Sequence, residues 1–280
     1  MHSATFDLGA VRLEALTAGP SRGRLVILLH GFPESGDAWR VQAAALAGAG
    51  WRVLAPHQRG YAGSSKPAGL LPYRLDVLAA DVLALADAAG AETFSLVGHD
   101  WGAAIAWHLA STSPTRLDRM VVMNGPHAGT VGLHTLLHPT QLLRSWYIGA
   151  FQVPFLPEAL LRADDFALLR RAMRDTARPG ALPDALLDRY AAQWAQPGAL
   201  GAMLAWYRAI GLQVPTPART IELPVTVIWG EQDPMLDRGL ADAALRLCSK
   251  GRLVALPDAT HWLHHEEPQR VNDVLLEALA

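Results

Sequence analysis

The chain has 280 residues, 51% of them apolar, which is enough for a sizeable core in one domain or in a domain with an insertion. Its net charge is -2 and it has no Lys/Arg run, so nucleic acid and anionic membranes are not expected partners. The single cysteine, Cys248, excludes an internal disulfide framework, and no apolar run is long enough for a membrane span. The N-terminus alternates like a strand and lacks the features of a signal peptide, which predicts a cytoplasmic protein.

Short strand-like runs alternate with helical runs along the chain. In the first 123 residues these are predicted strands at 25–29, 52–55, 93–97 and 117–123, and predicted helices at 35–49, 75–89 and 101–112. The pattern returns with strands at 225–229 and 252–256, and helices at 239–247 and 268–280. Runs such as LVILL are apolar at every position, as expected of strands buried on both faces. The prediction is an α/β fold with a mostly parallel sheet flanked by helices.

A long insertion interrupts this alternation. About a hundred residues separate Met123 from Val225, where a parallel crossover needs only about a dozen. The segment lacks strand alternation and is rich in Leu, Ala, Arg and Pro, which predicts several short helices broken at prolines. We expect residues 126–220 to form a helical cap on an α/β core made of residues 1–125 and 221–280. Ligands of open α/β sheets bind beyond the carboxyl ends of the strands, where such a cap could close.

The segment SLVGHDWG joins a predicted strand to a predicted helix at Asp100. Gly98 and Gly102 flank Asp100 with one residue on each side, the spacing of a strand–turn–helix elbow that lifts the central side chain into the open. A carboxylate is ionised at neutral pH and already nucleophilic, whereas a serine must first lose a proton. The spacing predicts a nucleophile at Asp100, and the alternative interpretation is an ordinary turn.

Two further residues complete a candidate triad. An α/β fold with such an elbow brings nucleophile, acid and histidine together in that chain order. Asp233 lies in the loop after the predicted strand VTVIW, and His261 lies in the loop after LVALP. The alternative for Asp233 is a solvated loop carboxylate. His264 and His265 resemble a metal-binding pair, but His261 already has a role, so no metal is predicted.

The motif HGFP at 30–33 follows the strand LVILL, where this architecture supplies a backbone N–H to an oxyanion hole. Phe32 is the predicted donor, and Trp101, the residue after the nucleophile, is the second. Pro33 is a candidate for a cis peptide. A plain turn is the alternative interpretation of the motif.

The motifs HGFPES, QRGYAGSSKP, VGHDWG, WGEQD and ATHW resemble, in this order, those of the α/β-hydrolase epoxide hydrolases, over nearly the whole chain. In that family one ring-opening tyrosine precedes Phe-Gln-x-Pro and another lies in Trp-Tyr-Arg. The resemblance therefore implies Tyr147 in WYIGAFQVP and Tyr207 in WYR. Phenols suit this chemistry because epoxide opening leaves a basic alkoxide, to which a phenol can donate a proton. The alternative interpretation is that both tyrosines only pack against other residues of the lid. His57 departs from the family, which usually has Asp there.

The resemblance implies an epoxide hydrolase that uses no cofactor and converts a small apolar epoxide and water to a vicinal diol through an ester on Asp100. Haloalkane or haloacid dehalogenases use the same carboxylate and are the alternative enzymes. Many dehalogenases have Asn at the position of Phe32, and fluoroacetate dehalogenases have Arg and His at those of Trp101 and Tyr147. A non-catalytic ligand-binding protein on this scaffold is the alternative of another class. The oligomeric state is open, with a homo-oligomer as a possibility.

Overall fold

The computed structural model describes residues 1–280, and one eight-stranded sheet forms the centre of the protein. Its strands are β1 (His2–Asp7), β2 (Arg12–Ala18), β3 (Leu25–Leu29), β4 (Arg52–Pro56), β5 (Phe94–His99), β6 (Leu117–Met123), β7 (Val225–Gly230) and β8 (Gly251–Leu256). The spatial order is β1-β2-β4-β3-β5-β6-β7-β8. Antiparallel pairing is confined to β1 with β2 and β2 with β4. The predicted mostly parallel α/β sheet is confirmed.

Helices cover the sheet and fill the insertion. They are α1 (Arg40–Gly48), α2 (Leu75–Ala88), α3 (Trp101–Thr112), α4 (Ala128–Leu137), α5 (Pro139–Arg144), α6 (Trp146–Phe151), α7 (Leu156–Thr176), α8 (Asp184–Trp194), α9 (Ala199–Arg208), α10 (Gly239–Leu245), α11 (Leu263–Glu266) and α12 (Pro268–Leu279). None of them is both long and apolar enough to cross a membrane.

The central strand β3 shows why its sequence is apolar throughout. Ile27 and Leu29 join a core cluster that includes residues of α2 and α3, while Val26 and Leu28 join a second cluster with residues of α1 and α12. Successive side chains of a strand point to opposite faces, so a strand covered on both sides is buried at every position. Because β3, β5, β6 and β7 pair in parallel, their carboxyl ends lie together at the same end of the sheet.

The helical segments α4 to α9 lie between β6 and β7 in residues 126–220, which we call the cap segment, and α7 is interrupted at residues 163–166, where the backbone is not helical. Prolines stand in the first turns of α5 and α7, where the missing N–H costs no helical hydrogen bond. Two buried tryptophans of the cap segment anchor it on core loops. The indole N–H of Trp194 donates to the carbonyl of Pro33 at 2.7 Å, and that of Trp206 to the carbonyl of Arg59 at 3.0 Å.

Candidate active site

Asp100 occupies the sharp turn between β5 and α3. Its backbone has φ 52° and ψ -115°, a conformation that is strained for any residue with a Cβ. A Cβ on Gly98 would lie 2.3 Å from the carbonyl oxygen of Gly102, and one on Gly102 would lie 2.2 Å from that of Leu29. Both glycines are therefore required for strand and helix to approach closely, which is the physical basis of the spacing in the sequence.

The loop after β3 supplies a hydrogen-bond donor to the Asp100 carboxylate. The backbone N–H of Phe32 donates to Asp100 Oδ1 at 2.9 Å, and the Phe32–Pro33 peptide is cis. A Cβ on Gly31 would lie 2.4 Å from Asp100 Cβ, so only glycine allows this loop to run so close. Trp101 begins α3, and N–H groups of a first helical turn have no partner within the helix. The Phe32 N–H thus contacts Asp100 directly, whereas the role of the Trp101 N–H as a second donor stays a prediction.

His261 lies between two carboxylates. Its Nδ1 is 2.8 Å from Asp233 Oδ2, and its Nε2 is 3.8 Å from Asp100 Oδ2. The backbone N–H groups of Met235 and Leu236 donate to Asp233 Oδ1 at 2.7 and 3.0 Å. The structure therefore brings the nucleophile candidate, the histidine and the acid together, with a hydrogen bond between His261 and Asp233 and a longer, 3.8 Å approach of His261 to Asp100.

Asn124 adds a contact that the sequence analysis missed. It follows β6, and its Nδ2 donates to Asp233 Oδ2 at 2.5 Å. Its Oδ1 accepts from the N–H of Gly230 at 2.8 Å, which fixes the orientation of the amide. The available signal was a polar residue directly after the apolar run VVM, at the same edge of the sheet as the other candidates.

Neighbouring charges set the protonation states of His261 and Asp233. Burial disfavours the charged form of His261, but the Asp233 carboxylate and then that of Asp100 outweigh burial and raise the pKa of His261 to about 9. Burial would raise the pKa of Asp233, yet His261 and the donors around the carboxylate hold it below its usual range. At neutral pH the site therefore holds an imidazolium between two carboxylates.

Tyr147 on α6 and Tyr207 on α9 pack edge to face near the elbow. Their ring centroids are 5.9 Å apart, and the Tyr207 ring lies 5.1 Å from that of Phe32 and 5.2 Å from that of Trp101. Burial and the nearby Asp100 carboxylate raise the pKa of Tyr147; burial, Tyr147 and Asp100 raise the pKa of Tyr207 well above its usual value. Both phenols therefore stay protonated at neutral pH and can donate hydrogen bonds.

Aromatic rings line the space around the phenols. Phe151 lies 5.6 Å from the Phe32 ring, 5.7 Å from that of Tyr147 and 5.1 Å from that of Tyr207. These ring contacts form an aromatic cluster beside the two phenols and the Phe32 loop that contacts Asp100. Such a lining suits an apolar ligand with one polar atom near the phenols.

A buried acid lies behind the histidine. Glu34 Oε1 is 2.6 Å from His265 Nε2, and Glu34 Oε2 is 3.3 Å from both His99 Nδ1 and His264 Nε2. His99 in turn donates through Nε2 to the carbonyl of His261 at 2.9 Å. The carboxylate of Glu34 and the imidazoles of His99 and His264 are groups of the types that bind divalent metals. Burial lowers the pKa of His264 to about 3, so that ring is neutral. The sequence analysis did not foresee this cluster.

Comparison with known proteins decides the family. The profile of the α/β hydrolase fold family matches residues 24–268. The chain belongs to the α/β hydrolase family. This hydrolase is 43% identical over 275 residues to the AB hydrolase superfamily protein YfhM of Bacillus subtilis, covering 98% of this chain and 96% of that protein. It is 34% identical over 312 residues to Epoxide hydrolase A of Mycobacterium tuberculosis, covering 98% and 95%.

A solved structure agrees with these relatives. An epoxide hydrolase from Bacillus megaterium, crystallised with an inhibitor, matches the hydrolase with a TM-score of 0.90 at 29% identity, over 99% of both chains. The resemblance found in the motifs is confirmed, and within the family this chain is an epoxide-hydrolase-like enzyme.

Helix α5 connects the acid loop of the hydrolase to the helix that carries Tyr147. Arg144 Nη1 donates to the backbone carbonyl of Asp233 at 2.7 Å, and Gln141 Oε1 accepts from the N–H of Asp237 at 2.7 Å. Because α6 begins two residues after Arg144, the same short segment contacts the acid loop and positions one phenol.

His57, the departure from the family pattern, has a defined place. Its Nδ1 accepts a hydrogen bond from the N–H of Gly36 at 3.2 Å, and its carbonyl accepts one from the hydroxyl of Ser64. Burial lowers the pKa of His57, so the ring is neutral and can act as an acceptor. An imidazole nitrogen thus satisfies the loop N–H in this hydrolase.

Proposed function

We propose that this hydrolase converts an epoxide to a vicinal diol through a covalent ester on Asp100, without a cofactor. The observation that carries the proposal is the pair of protonated phenols, half-buried Tyr147 and buried Tyr207, whose pKa values are raised in part by the nearby Asp100. A departing epoxide oxygen becomes an alkoxide and needs a proton, whereas a departing halide does not. The epoxide hydrolases among its relatives support the same assignment.

In the first step Asp100 Oδ2 attacks an epoxide carbon and the ring C–O bond breaks. Oδ1, which accepts the Phe32 N–H, becomes the carbonyl oxygen of the new ester. Tyr147 or Tyr207 gives its hydroxyl proton to the departing oxygen and becomes a phenolate. The products are a neutral ester, a free hydroxyl group on the substrate and one phenolate.

Ester formation changes the acidity of His261. It removes the negative charge of Asp100, which lies 3.8 Å from Nε2 and is one of the causes that raise the pKa of this histidine. The imidazolium can then return a proton to the phenolate, which leaves both groups neutral. His261 thus becomes a base only after the ester has formed, and Asp233 keeps the ring oriented.

In the second step neutral His261 takes a proton from water as the water oxygen attacks the ester carbonyl. The N–H groups of Phe32 and Trp101 hold the oxyanion of the tetrahedral intermediate. Collapse breaks the acyl–oxygen bond, the departing alkoxide takes the proton from His261, and the acid form of Asp100 returns its proton to the imidazole. The diol leaves and the starting charges are restored.

The cap segment fits this chemistry as a domain that covers a core made of residues 1–125 and 221–280. It supplies both phenols, while the core supplies Asp100, Asp233 and His261. Substrate binding between the two parts would exclude water during the first step.

Tyr147→Phe and Tyr207→Phe, alone and together, test the proposal on a matched epoxide and haloalkane under single-turnover conditions. Each single change should slow epoxide opening, and the double change should slow it by about a hundredfold or more, because a remaining phenol can still donate. Tyr73→Phe is the control, since its hydroxyl donates to the Pro67 carbonyl outside the site. A double variant that opens the epoxide at the wild-type rate, or a wild type that releases halide and forms no diol, contradicts the proposal.

A further inference from the structure

One arginine side chain joins the two helices that carry the phenols. Arg208 ends α9 directly after Tyr207, and its guanidinium reaches the chain that follows Tyr147 on α6. Its Nε donates to the carbonyl of Phe151 at 2.8 Å, and its Nη2 donates to that of Val153 at 3.0 Å. The last residue of α9 is therefore hydrogen-bonded to the end of α6.

A carboxylate holds the guanidinium of Arg208 in this orientation. Glu158, in the first turn of α7, accepts from Nη1 through Oε1 and from Nη2 through Oε2, the second contact at 2.9 Å. The two side chains are only 17% and 22% exposed, and the hydrogen bonds from Arg208 lower the pKa of Glu158, so the carboxylate is ionised at neutral pH. A planar guanidinium can donate to three partners at once from a fixed geometry, which the compact ammonium of a lysine does not reproduce.

Helix α6 depends on such contacts because little of it is buried. None of its six residues is buried, and helices of this length are not stable on their own in water. The carbonyls of a last helical turn have no partner within the helix, and Arg208 supplies one for Phe151. Gln152 adds a second polar contact to α9, because its Nε2 donates to the carbonyl of Tyr207 at 3.1 Å.

The contact at Phe151 bears directly on the two phenols. Phe151 lies four residues after Tyr147, so both side chains are on the same face of α6. Its ring centroid is 5.7 Å from that of Tyr147 and 5.1 Å from that of Tyr207. Arg208 thus fixes the backbone of a residue whose ring packs against both phenols. A shift of this backbone would move Tyr147 relative to Tyr207.

We infer that Arg208 positions Tyr147 relative to Tyr207 for ring opening, by holding the end of α6 against the end of α9. The chemical consequence rests on the proposed function, whereas the positioning itself can be measured without a substrate. The inference separates the two steps of the reaction. Ester formation uses the phenols, but ester hydrolysis uses His261, and no hydrogen bond of Arg208 goes to the loops that carry the triad.

The positioning can be tested by 19F NMR of the full chain labelled with 3-fluorotyrosine, which should give five signals for the five tyrosines. The signals of Tyr147 and Tyr207 are assigned by their absence in the two Phe variants. Arg208→Met should shift or broaden the signal of Tyr147, although this residue lies on another helix. An unchanged Tyr147 signal in a folded Arg208→Met variant overturns the inference, whether or not the protein opens epoxides.

Arg170→Met is the matched control for loss of an arginine from the cap segment. Arg170 is 14% exposed and also pairs with two carboxylates, those of Asp165 and Asp188. None of its hydrogen bonds goes to α6 or α9. Its replacement should therefore leave the signals of Tyr147 and Tyr207 unchanged.

Rapid-quench kinetics test the chemical consequence on an epoxide that the wild type opens. Arg208→Met should slow ester formation by about tenfold to a hundredfold, because a displacement of about 1 Å can cost a hundredfold in rate. The rate of ester hydrolysis should stay at the wild-type value. Arg208→Lys keeps a positive charge beside Glu158 but not the hydrogen-bond geometry, so it should remain at least about tenfold slow in ester formation. Arg170→Met should keep both rates.

Two kinetic results overturn the inference. Equal slowing of both steps, or wild-type ester formation in Arg208→Lys, would show that Arg208 only stabilises the cap segment. Circular dichroism checks that the variants are folded, and Arg208→Lys replaces Arg208→Met in both measurements if the latter does not fold. If the wild type opens no epoxide, the proposed function fails and the Tyr147 signal alone decides the role of Arg208.

Discussion

Replacing Asp100 with Asn removes one charge from the side of His261 while keeping the shape of the residue. It imitates the charge change that ester formation causes, without any chemistry. We predict that the pKa of His261 falls from about 9 toward neutrality in Asp100→Asn. The mechanism needs this fall, because an imidazole that stays protonated cannot take a proton from water.

The distance between the two groups sets the size of the effect. His261 Nε2 and Asp100 Oδ2 are 3.8 Å apart. At an effective dielectric constant of about 20 their attraction is about 4 kcal/mol, and at the value of bulk water about 1 kcal/mol. One pKa unit corresponds to about 1.4 kcal/mol, so the pKa should fall by about one to three units.

The pKa can be measured by NMR titration of the imidazole Cε1–H signals in protein with labelled histidine, with the His261 signal assigned by its absence in His261→Gln. Asp233→Asn should lower the pKa further, since Asp233 is the stronger of the two carboxylate influences, whereas Glu34→Gln should lower it least. If the pKa stays at about 9 in Asp100→Asn, ester formation does not switch His261 into a base and the proposed second step is wrong.

Three further predictions concern stability and the second step. The pKa of His261 is about 9 in the folded chain against an ordinary value of 6.5, so protonated His261 stabilises the fold fully below pH 6.5 and this stabilisation is lost as pH rises toward 9. Urea unfolding should show that the free energy of unfolding falls by about 3 kcal/mol over this range, and the fall should be absent in His261→Gln. The pKa of His264 is lowered from 6.5 to about 3, so the neutral ring stabilises the fold above pH 6.5 and this stabilisation is lost as pH falls toward 3. His264→Gln should therefore reduce the decline in the free energy of unfolding by urea between pH 6.5 and 4. Asn124→Ala removes one of the two donors to Asp233 Oδ2 and leaves only His261 Nδ1, so it should slow ester hydrolysis about tenfold in rapid-quench experiments. Equal slowing of ester formation would count against a role in orienting the acid.

Local signals in the sequence predicted much of the core. The spacing of Gly98 and Gly102 around Asp100 predicted the elbow because the steric demand acts within five residues. The strand β8 and the helix α10 end within one or two residues of their predicted limits, since their apolar patterns are local. The predicted helix at 35–49 is instead a 3-10 turn followed by α1, and the side chain of Ser35 accepts from the N–H of Asp37 at the start of that turn.

Features that depend on long-range packing could not be read from the sequence. Asn124 and Asp233 are 109 positions apart, and Glu34 and His265 are 231 apart, so only the folded sheet brings them together. The antiparallel edge of β1 and β2 likewise depends on pairing with β4, which no local pattern specifies. The elevated pKa of His261 is a further consequence, because it requires both carboxylates to be in place.

The ester on Asp100 is the central claim, and mass spectrometry of His261→Gln tests it most directly. This variant keeps the nucleophile and both phenols but lacks the base for the second step, so the ester should accumulate after an epoxide is added. We predict an intact mass increased by that of one epoxide, with the adduct on the peptide that contains Asp100. An unmodified Asp100 in a variant that still produces diol would contradict the account.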